Sequence, residues 1–371
     1  MFKLVPRKEP NRAMLYATPF LAVALTILAG FVLFTLLGKA PLHAMYLIFL
    51  KPLTDFNSLA EMLVKATPLI LIAVGLSIGF RAGVWNIGAE GQFTIGAITG
   101  GSVALAAYPD GGPLLLPMMA IAGALGGMAW AAIPAFLRTK FNASEILVSL
   151  MLVYVATLLL SLLVHGPLRD PEGFNFPESR LFQEDAHVPN LITDTRAHIG
   201  FLVALAAAAA AYVYLERMIL GFQVKVLGQA PRAARFAGYS EKTIVWTCFM
   251  ISGALAGVAG LFEAAGPVGQ LVPSLPVGYG FTAIIVAFLG RLHPVGIVFA
   301  GLLMALTYIG GETAQIEMSL PSATTSVFQG LLLFFLLATD VLVNFRVVRA
   351  GERLAAPAKP APAPLTPKPA E

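Results

Sequence analysis

The sequence predicts an all-α, polytopic transmembrane helical bundle of about ten membrane segments, some short or broken, with both termini cytoplasmic. Three observations carry this. Of 371 residues, 58% are hydrophobic and 12% are charged, with a mean hydropathy of +0.81. A soluble domain carries roughly 25% charge, because its surface faces water. Ten apolar stretches recur along the chain, most near the ~20 residues that cross a ~30 Å hydrocarbon core. Basic residues gather in alternate loops.

The stretches fall at 14–37, 59–80, 88–108, 114–137, 143–165, 198–216, 243–264, 277–290, 293–311 and 321–343. Residues 277–290 are too short to cross upright as a simple helix. They form either part of a broken pair with the next stretch or a re-entrant hairpin. With the N-terminus inside and ten crossings, 18 of the 24 Lys and Arg residues are cytoplasmic, leaving Lys39, Lys51, Lys65, Arg169, Arg180 and Arg196 outside. That asymmetry supports both the orientation and the even count. A basic segment precedes the first stretch, as in a signal peptide. The stretch is longer than an ordinary h-region and no small-x-small cleavage site follows, so it reads as a retained anchor.

Residues 1–13 are then a cytoplasmic N-terminal segment, 14–345 the transmembrane domain, and 346–371 a cytoplasmic tail. The tail ends in AAPAKPAPAPLTPKPAE, a Pro/Ala run that cannot bury a core and is expected to be disordered. Two connections stand out: an acid-rich outside loop at 166–197 and the longest inside loop at 217–242.

Enzymatic motifs are missing. The one Gly-Lys pair, Gly38-Lys39, has Leu33 where a phosphate-binding loop needs its first glycine. His43, His165, His187, His198 and His293 lie far apart and show no metal-ligand spacing. Cys248 stands alone in an apolar run, so no intramolecular disulfide is possible. The basic residues are spread over loop ends rather than clustered on one face, so no nucleic-acid partner is predicted. The chain is expected to hold no cofactor of its own, and any ATP must be bound and hydrolysed by another chain.

Polar residues inside the apolar pattern mark the candidate sites. Gly75, Gly79 and Gly83 repeat every four residues and line one helix face, where small residues allow close packing in lipid. Val84–Gly88 breaks that helix, and Glu90 falls in the opening turn of the next. On one reading Asn86 caps the new helix and Glu90 complements its dipole. On the other, Asn86, Glu90 and Gln92 border a translocation path, since ionisable groups at membrane depth face protein or water. A parallel arrangement follows Gly253, Gly257 and Gly260, with Phe262, Glu263 and Gln270 leading into a Gly/Pro-rich stretch. Residues 59–165 and 243–343 are therefore readable as two related halves, and matched interruptions of this kind point to a substrate path. Asn142 or Ser144 caps the fifth stretch, with Glu145 in its first turn. Glu312, Glu317 and Asp340 fall near segment ends where water reaches, and no role is assigned to them.

In the inside loop, Pro231 suits the first position of a helix and Gly238 its C′ position. Between them Arg232, Ala233, Ala234, Arg235 and Phe236 make a helix too short to hold alone. It is either a basic surface turn or a docking element for another surface.

FRAGVWNIGAEGQFTIGA (80–97), NASEILVSLMLVY (142–154), VKVLGQAPRAARFAGYS (224–240) and GYGFTAIIVAFLGRLHPVG (278–296) resemble the inner-membrane permeases of bacterial ABC importers for nucleosides and simple sugars. The likeness runs from about residue 14 to 345, and the NIGAEGQF block resembles the longer, nucleoside-type permease. The resemblance implies translocation of nucleosides, related purines or simple sugars across the bacterial inner membrane by alternating access. It also implies four partners: a cytoplasmic ABC ATPase, a second non-identical permease, an extracytoplasmic substrate-binding protein and membrane lipid. Loop 217–242, with its helix at Pro231–Phe236, becomes the ATPase coupling element. Two rivals exist. An ion-coupled secondary transporter would need a mid-helix ionisable relay, yet 14–37, 114–137, 146–164 and 243–262 hold no charged residue. A membrane scaffold without cargo is opposed by the paired Gly-broken segments.

Overall fold

In lipid a backbone must satisfy its polar groups within its own segment, so apolar stretches of this length are expected to be helices. In the computed structural model, which describes residues 2–6, 12–321 and 323–349, each of the ten is one. In chain order the elements are β1 (Phe2–Pro6), α1 (Arg12–Leu36), α2 (Pro41–Met45) and α3 (Lys51–Thr54) joined by a π-helical stretch at Tyr46–Leu50, α4 (Phe56–Arg81), α5 (Ala89–Ala106), α6 (Leu115–Phe141), α7 (Glu145–His165), α8 (Gly200–Arg217), α9 (Ile219–Gln229), α10 (Pro231–Phe236), α11 (Glu241–Glu263), α12 (Tyr279–Leu289), α13 (Pro294–Met318), α14 (Ala323–Asn344) and β2 (Phe345–Arg349). Eight of these helices are long and apolar enough to cross a membrane. The other two of the ten are α5, whose first turn carries Glu90 and Gln92, and the 11-residue α12.

Helix α4 is the axis of the bundle. Of its most apolar window 89% is buried, against 22% for α1 and α7, whose outer faces are left to lipid. Against it pack α8, α11, α12 and α13, and α11 in turn packs backbone to backbone with α5 and α6 through glycines. A Cβ at Gly96 would lie 2.2 Å from Gly257 Cα, and one at Gly253 2.6 Å from the Gly127 oxygen. This is the small-residue packing expected where lipid offers no hydrophobic drive for association. Gly75 and Gly79 belong to it, facing Ser252 and Cys248 of α11. Gly83 does not. It lies past the end of α4 at φ +73, a turn that suits a residue without Cβ, so two of the three glycines expected on that face belong to it.

Three features go beyond the apolar pattern. The connection before α4 is mostly helical, burying Leu47 and Ile48 and pressing Ile48 onto Gly310 of α13. Loop 217–242 is helical too: α9 buries Gly221, Val224 and Leu227 and leaves Ile219 and Phe222 exposed. Its Gly228 sits where a Cβ would meet the Arg81 oxygen at 1.9 Å, which locks α9 under α4. Finally, the all-α bundle carries a two-stranded addition. β1 pairs antiparallel with β2, from Phe2↔Arg349 to Pro6↔Phe345, so these two strands lie together at one end of the bundle. The Pro/Ala run at 355–371 lies outside the described residues.

At the opposite end, loop 166–197 is tied to the segment after α11. The Ser179 N–H donates to the Leu271 oxygen at 3.0 Å, Phe182 N–H to Gly269 at 2.9 Å and Val188 N–H to Ala265 at 3.0 Å. Asp170 and Arg180 pair inside the loop at 3.4 Å.

Candidate functional site

The two interrupted segments meet inside the bundle. After Gly83 the chain passes Val84–Gly88 without helix and starts α5 beside Ser149 of α7 and Ser252 of α11. Asn86 and Gln92 exchange amide hydrogen bonds, Asn86 Nδ2 to Gln92 Oε1 at 2.9 Å and Gln92 Nε2 to Asn86 Oδ1 at 3.1 Å. Asn86 Nδ2 also donates to Ser252 Oγ at 2.9 Å, and its Oδ1 accepts from the Gly88 N–H at 3.1 Å. Buried amides are expected to be paired in this way.

Of the two helix-end roles expected for this segment, Asn86 does not cap α5, while Glu90 does fall in its first turn. The N-cap of α5 is Gly88, with no side-chain cap. Glu90 reaches instead to the start of α12, where its carboxylate accepts the Gly278 N–H at 2.7 Å and the Gly280 N–H. Gly278 is the N-cap of α12 and has no side chain to offer. A carboxylate from a residue 188 positions earlier therefore serves as that cap, placed at the positive end of the helix dipole. At 11 residues α12 spans about 16 Å, half a hydrocarbon core. It ends where Phe288 stacks on Phe80 at 5.2 Å and Arg81 Nε donates to the Leu292 oxygen at 2.9 Å. The clamp therefore lies in the middle of the bundle, with α5 and α12 starting there and running in opposite directions.

A second polar group lies between this clamp and the 166–197 end. Glu263 closes α11 at 6% exposure; its Oε1 accepts from the Tyr279 hydroxyl at 3.2 Å, and its Oε2 is buried without a partner. Lys65 Nζ stands 5.6 Å from the centre of the Tyr279 ring. The Thr282 and Tyr308 hydroxyls are hydrogen-bonded at 2.9 Å. Phe262 packs edge-on against the buried His198 ring, and Gln270 lies apart, donating to Glu178 of loop 166–197 at 3.0 Å. Arg196 holds Glu61 through two bonds, at 2.8 and 2.7 Å.

From the sequence alone Lys65 is expected outside and Glu312 near a segment end. Since α4 begins at Phe56, Lys65 is about 14 Å into it, while Glu312 is about 9 Å inside α13. Glu312 is exposed, and Glu61, Lys65 and Tyr308 are half-buried. Charged groups at this depth face protein or water rather than lipid, so α4 and α13 present one polar face here.

At the other end of the bundle α10 forms as expected, with Pro231 at its first position and Gly238 just past its end at φ +78. Ala234 is fully buried against the body, and Arg232, Ala233 and Arg235 are exposed. Phe236 is 94% exposed. Arg235 is tied to Glu241 at 3.1 Å. The cap of α7 is Ser144, accepting from the Leu147 N–H, and Glu145 pairs with Arg138. Asn142 instead ends α6 in a left-handed conformation.

A family model described as branched-chain amino acid transport system / permease component matches residues 58–337. The glucose ABC transporter permease protein TsgB13 of Haloferax volcanii is 37% identical, over 95% of this chain and 94% of its own length. The guanosine ABC transporter permease protein NupP of Bacillus subtilis is 29% identical over 88% and 94%. The nucleoside ABC transporter permease protein NupB of Lactococcus lactis subsp. cremoris is 27% identical over 92% and 97%.

Proposed function

This chain belongs to the branched-chain amino acid transport system / permease component family, and from that premise we propose that it is the membrane-spanning permease subunit of an ABC importer for nucleosides or simple sugars. Full-length similarity to permeases named for glucose, guanosine and nucleosides supports that substrate range. Nothing in these likenesses favours an ion-coupled carrier.

The observation that carries the mechanism is Phe236. A helix of 6 residues cannot sustain itself in water; this one rests on the body through Ala234 and presents Phe236, 94% exposed, as an aromatic anchor for a partner. We assign that partner as a cytoplasmic ATPase, which binds the ATP this chain does not. Residues 1–13 and 346–371 and loop 217–242 are then cytoplasmic, loop 166–197 faces the extracytoplasmic binding protein, and 14–345 spans the bacterial inner membrane beside a second, non-identical permease. The path runs from Gln270, Phe262 and Glu263 along the polar face of α4 and α13 to the joint of Asn86, Glu90 and Gln92. When ATP closes the ATPase pair, α10 transmits the movement through α9 to the end of α4, where Gly228 meets Arg81. Coupling of this kind needs contacts that differ between the two states.

A photoreactive side chain introduced at Phe236 tests this. Irradiated membranes are expected to yield one adduct, with a subunit that binds ATP. Adducts with lipid alone would reduce α10 to a surface turn.

A further inference from the structure

The clamp and the polar face together constrain the chemistry of the cargo. The N-terminus of a broken helix at mid-membrane is a ready receptor for an anionic group, and an amino acid would present its carboxylate there. In this chain that position is taken: Glu90 already accepts the Gly278 and Gly280 N–H groups. A second carboxylate at the same N–H groups would meet like-charge repulsion, so the path is closed to anions at this point and suits a neutral solute.

Above the clamp the groups on offer are those that bind hydroxyls. Glu263 Oε2 is buried with no donor, and Glu263 itself is 94% buried by its 6% exposure. A buried acceptor left unpaired is costly, and in a native structure it calls for an explanation. Two carboxylate oxygens can accept from two adjacent hydroxyls of one ring. Lys65 supplies a cation beside the same Tyr279 ring, able to donate to a hydroxyl or ring oxygen. Thr282 adds a hydroxyl from the first turn of α12. Lys65, half-buried on the polar face, is the member that meets water first.

We propose that Glu263, Tyr279, Lys65 and Thr282 form the subsite for the vicinal hydroxyls of a neutral ring solute, a reading that rests on the importer assignment above. A ribose and a pyranose share this feature, so one subsite serves a nucleoside or a simple sugar. In the arrangement seen here Tyr279 holds Glu263 Oε1. Solute entry therefore displaces or shares that bond and fills Oε2.

The test uses the complete transporter, with its ATPase, partner permease and binding protein, in proteoliposomes. Uptake is measured for guanosine against 2′,3′-dideoxyguanosine and for D-glucose against 3-deoxy-D-glucose, in the wild type, Glu263→Gln and Lys65→Gln. The binding protein is the same throughout, so a change in the ratio of each pair reports the permease alone. Each variant is expected to lower uptake of the hydroxylated solute about tenfold or more while the deoxy analogue changes little, so that discrimination collapses. A structural role would lower both members of a pair equally and leave the ratio unmoved, which overturns the proposal even where a variant is poorly folded. If the wild type imports a solute with hydroxyls and its deoxy analogue alike, the subsite falls and the importer assignment stands. If it imports neither pair, the assignment falls and the subsite with it.

Discussion

Replacing Glu90 by Gln strikes the contact that joins the two broken helices. The wild-type carboxylate is 2% exposed and accepts two backbone N–H groups at the start of α12. The amide keeps one acceptor oxygen and turns an NH2 toward the second N–H. One charge-assisted bond, about 1.5–3 kcal/mol, is lost, and a buried donor is orphaned at about 1–3 kcal/mol. The helix-end charge interaction of about 0.3–1 kcal/mol goes with them. These contributions overlap, so the expected destabilisation is about 2–4 kcal/mol. Glu90→Asp keeps the charge but is one methylene short of spanning both N–H groups, so about half that loss is expected. Unfolding free energies in mixed micelles titrated with SDS give the totals, and hydrogen exchange at Gly278 and Gly280 gives the local effect. Stability of Glu90→Gln within about 0.5 kcal/mol of wild type, with those two amides still protected, would refute the clamp.

Phe236→Ala removes an aromatic anchor, a class of truncation that costs roughly 2 kcal/mol or more at an interface. Uptake, stimulated ATP hydrolysis and ATPase co-purification are expected to fall together at equal permease levels, and wild-type values in all three would contradict the docking role. Arg232→Ala is expected to do less, with a defect that grows with salt, and Gly238→Val is expected to damage coupling because φ +78 is closed to a β-branched residue. Gly257→Ala places a Cβ 2.1 Å from the Gly123 oxygen, about 1.3 Å short of ordinary contact at 3.4 Å. The backbone cannot rotate out of the way, so about 1–3 kcal/mol of destabilisation is expected. Gly112→Ala, with nothing within 4 Å of its Cβ, is expected to be silent; equal effects of the two would refute backbone packing at α6 and α11. In a Cys248→Ser background, Phe236→Cys is expected to react with an impermeant maleimide only from the cytoplasmic side, and Asn175→Cys only from outside. The reverse pattern would invert the orientation.

What the chain discloses by itself is what each segment carries locally. Ten apolar stretches, the Pro231 and Gly238 limits of α10 and the too-short 277–290 are properties of neighbouring residues, and all appear as helices or helix ends in the fold. Contacts between distant segments are another matter. Nothing near Glu90 announces that its partners are Gly278 and Gly280, because the cap it provides is tertiary. Lys65 counts among the outside charges because it lies near the start of the 59–80 stretch, and hydropathy does not show that the helix begins earlier. Asp55 begins α4 earlier by accepting the Ser58 N–H, a capping pattern that the sequence did contain. Helix α9 is hidden in the sequence because Ile219, Leu220 and Phe222 are apolar yet exposed, which blurs the periodicity of its buried Gly221, Val224 and Leu227. The orphaned oxygen of Glu263 exists only once α4, α11 and α12 enclose it.

The central claim is that this chain moves a solute only when a separate ATPase drives it. Purified and reconstituted alone, it is expected to accumulate neither labelled guanosine nor labelled glucose under proton or Na⁺ gradients. Reconstituted with its ATPase, partner permease and binding protein, it is expected to accumulate one of them on addition of ATP. Gradient-driven accumulation by the chain alone would contradict the account.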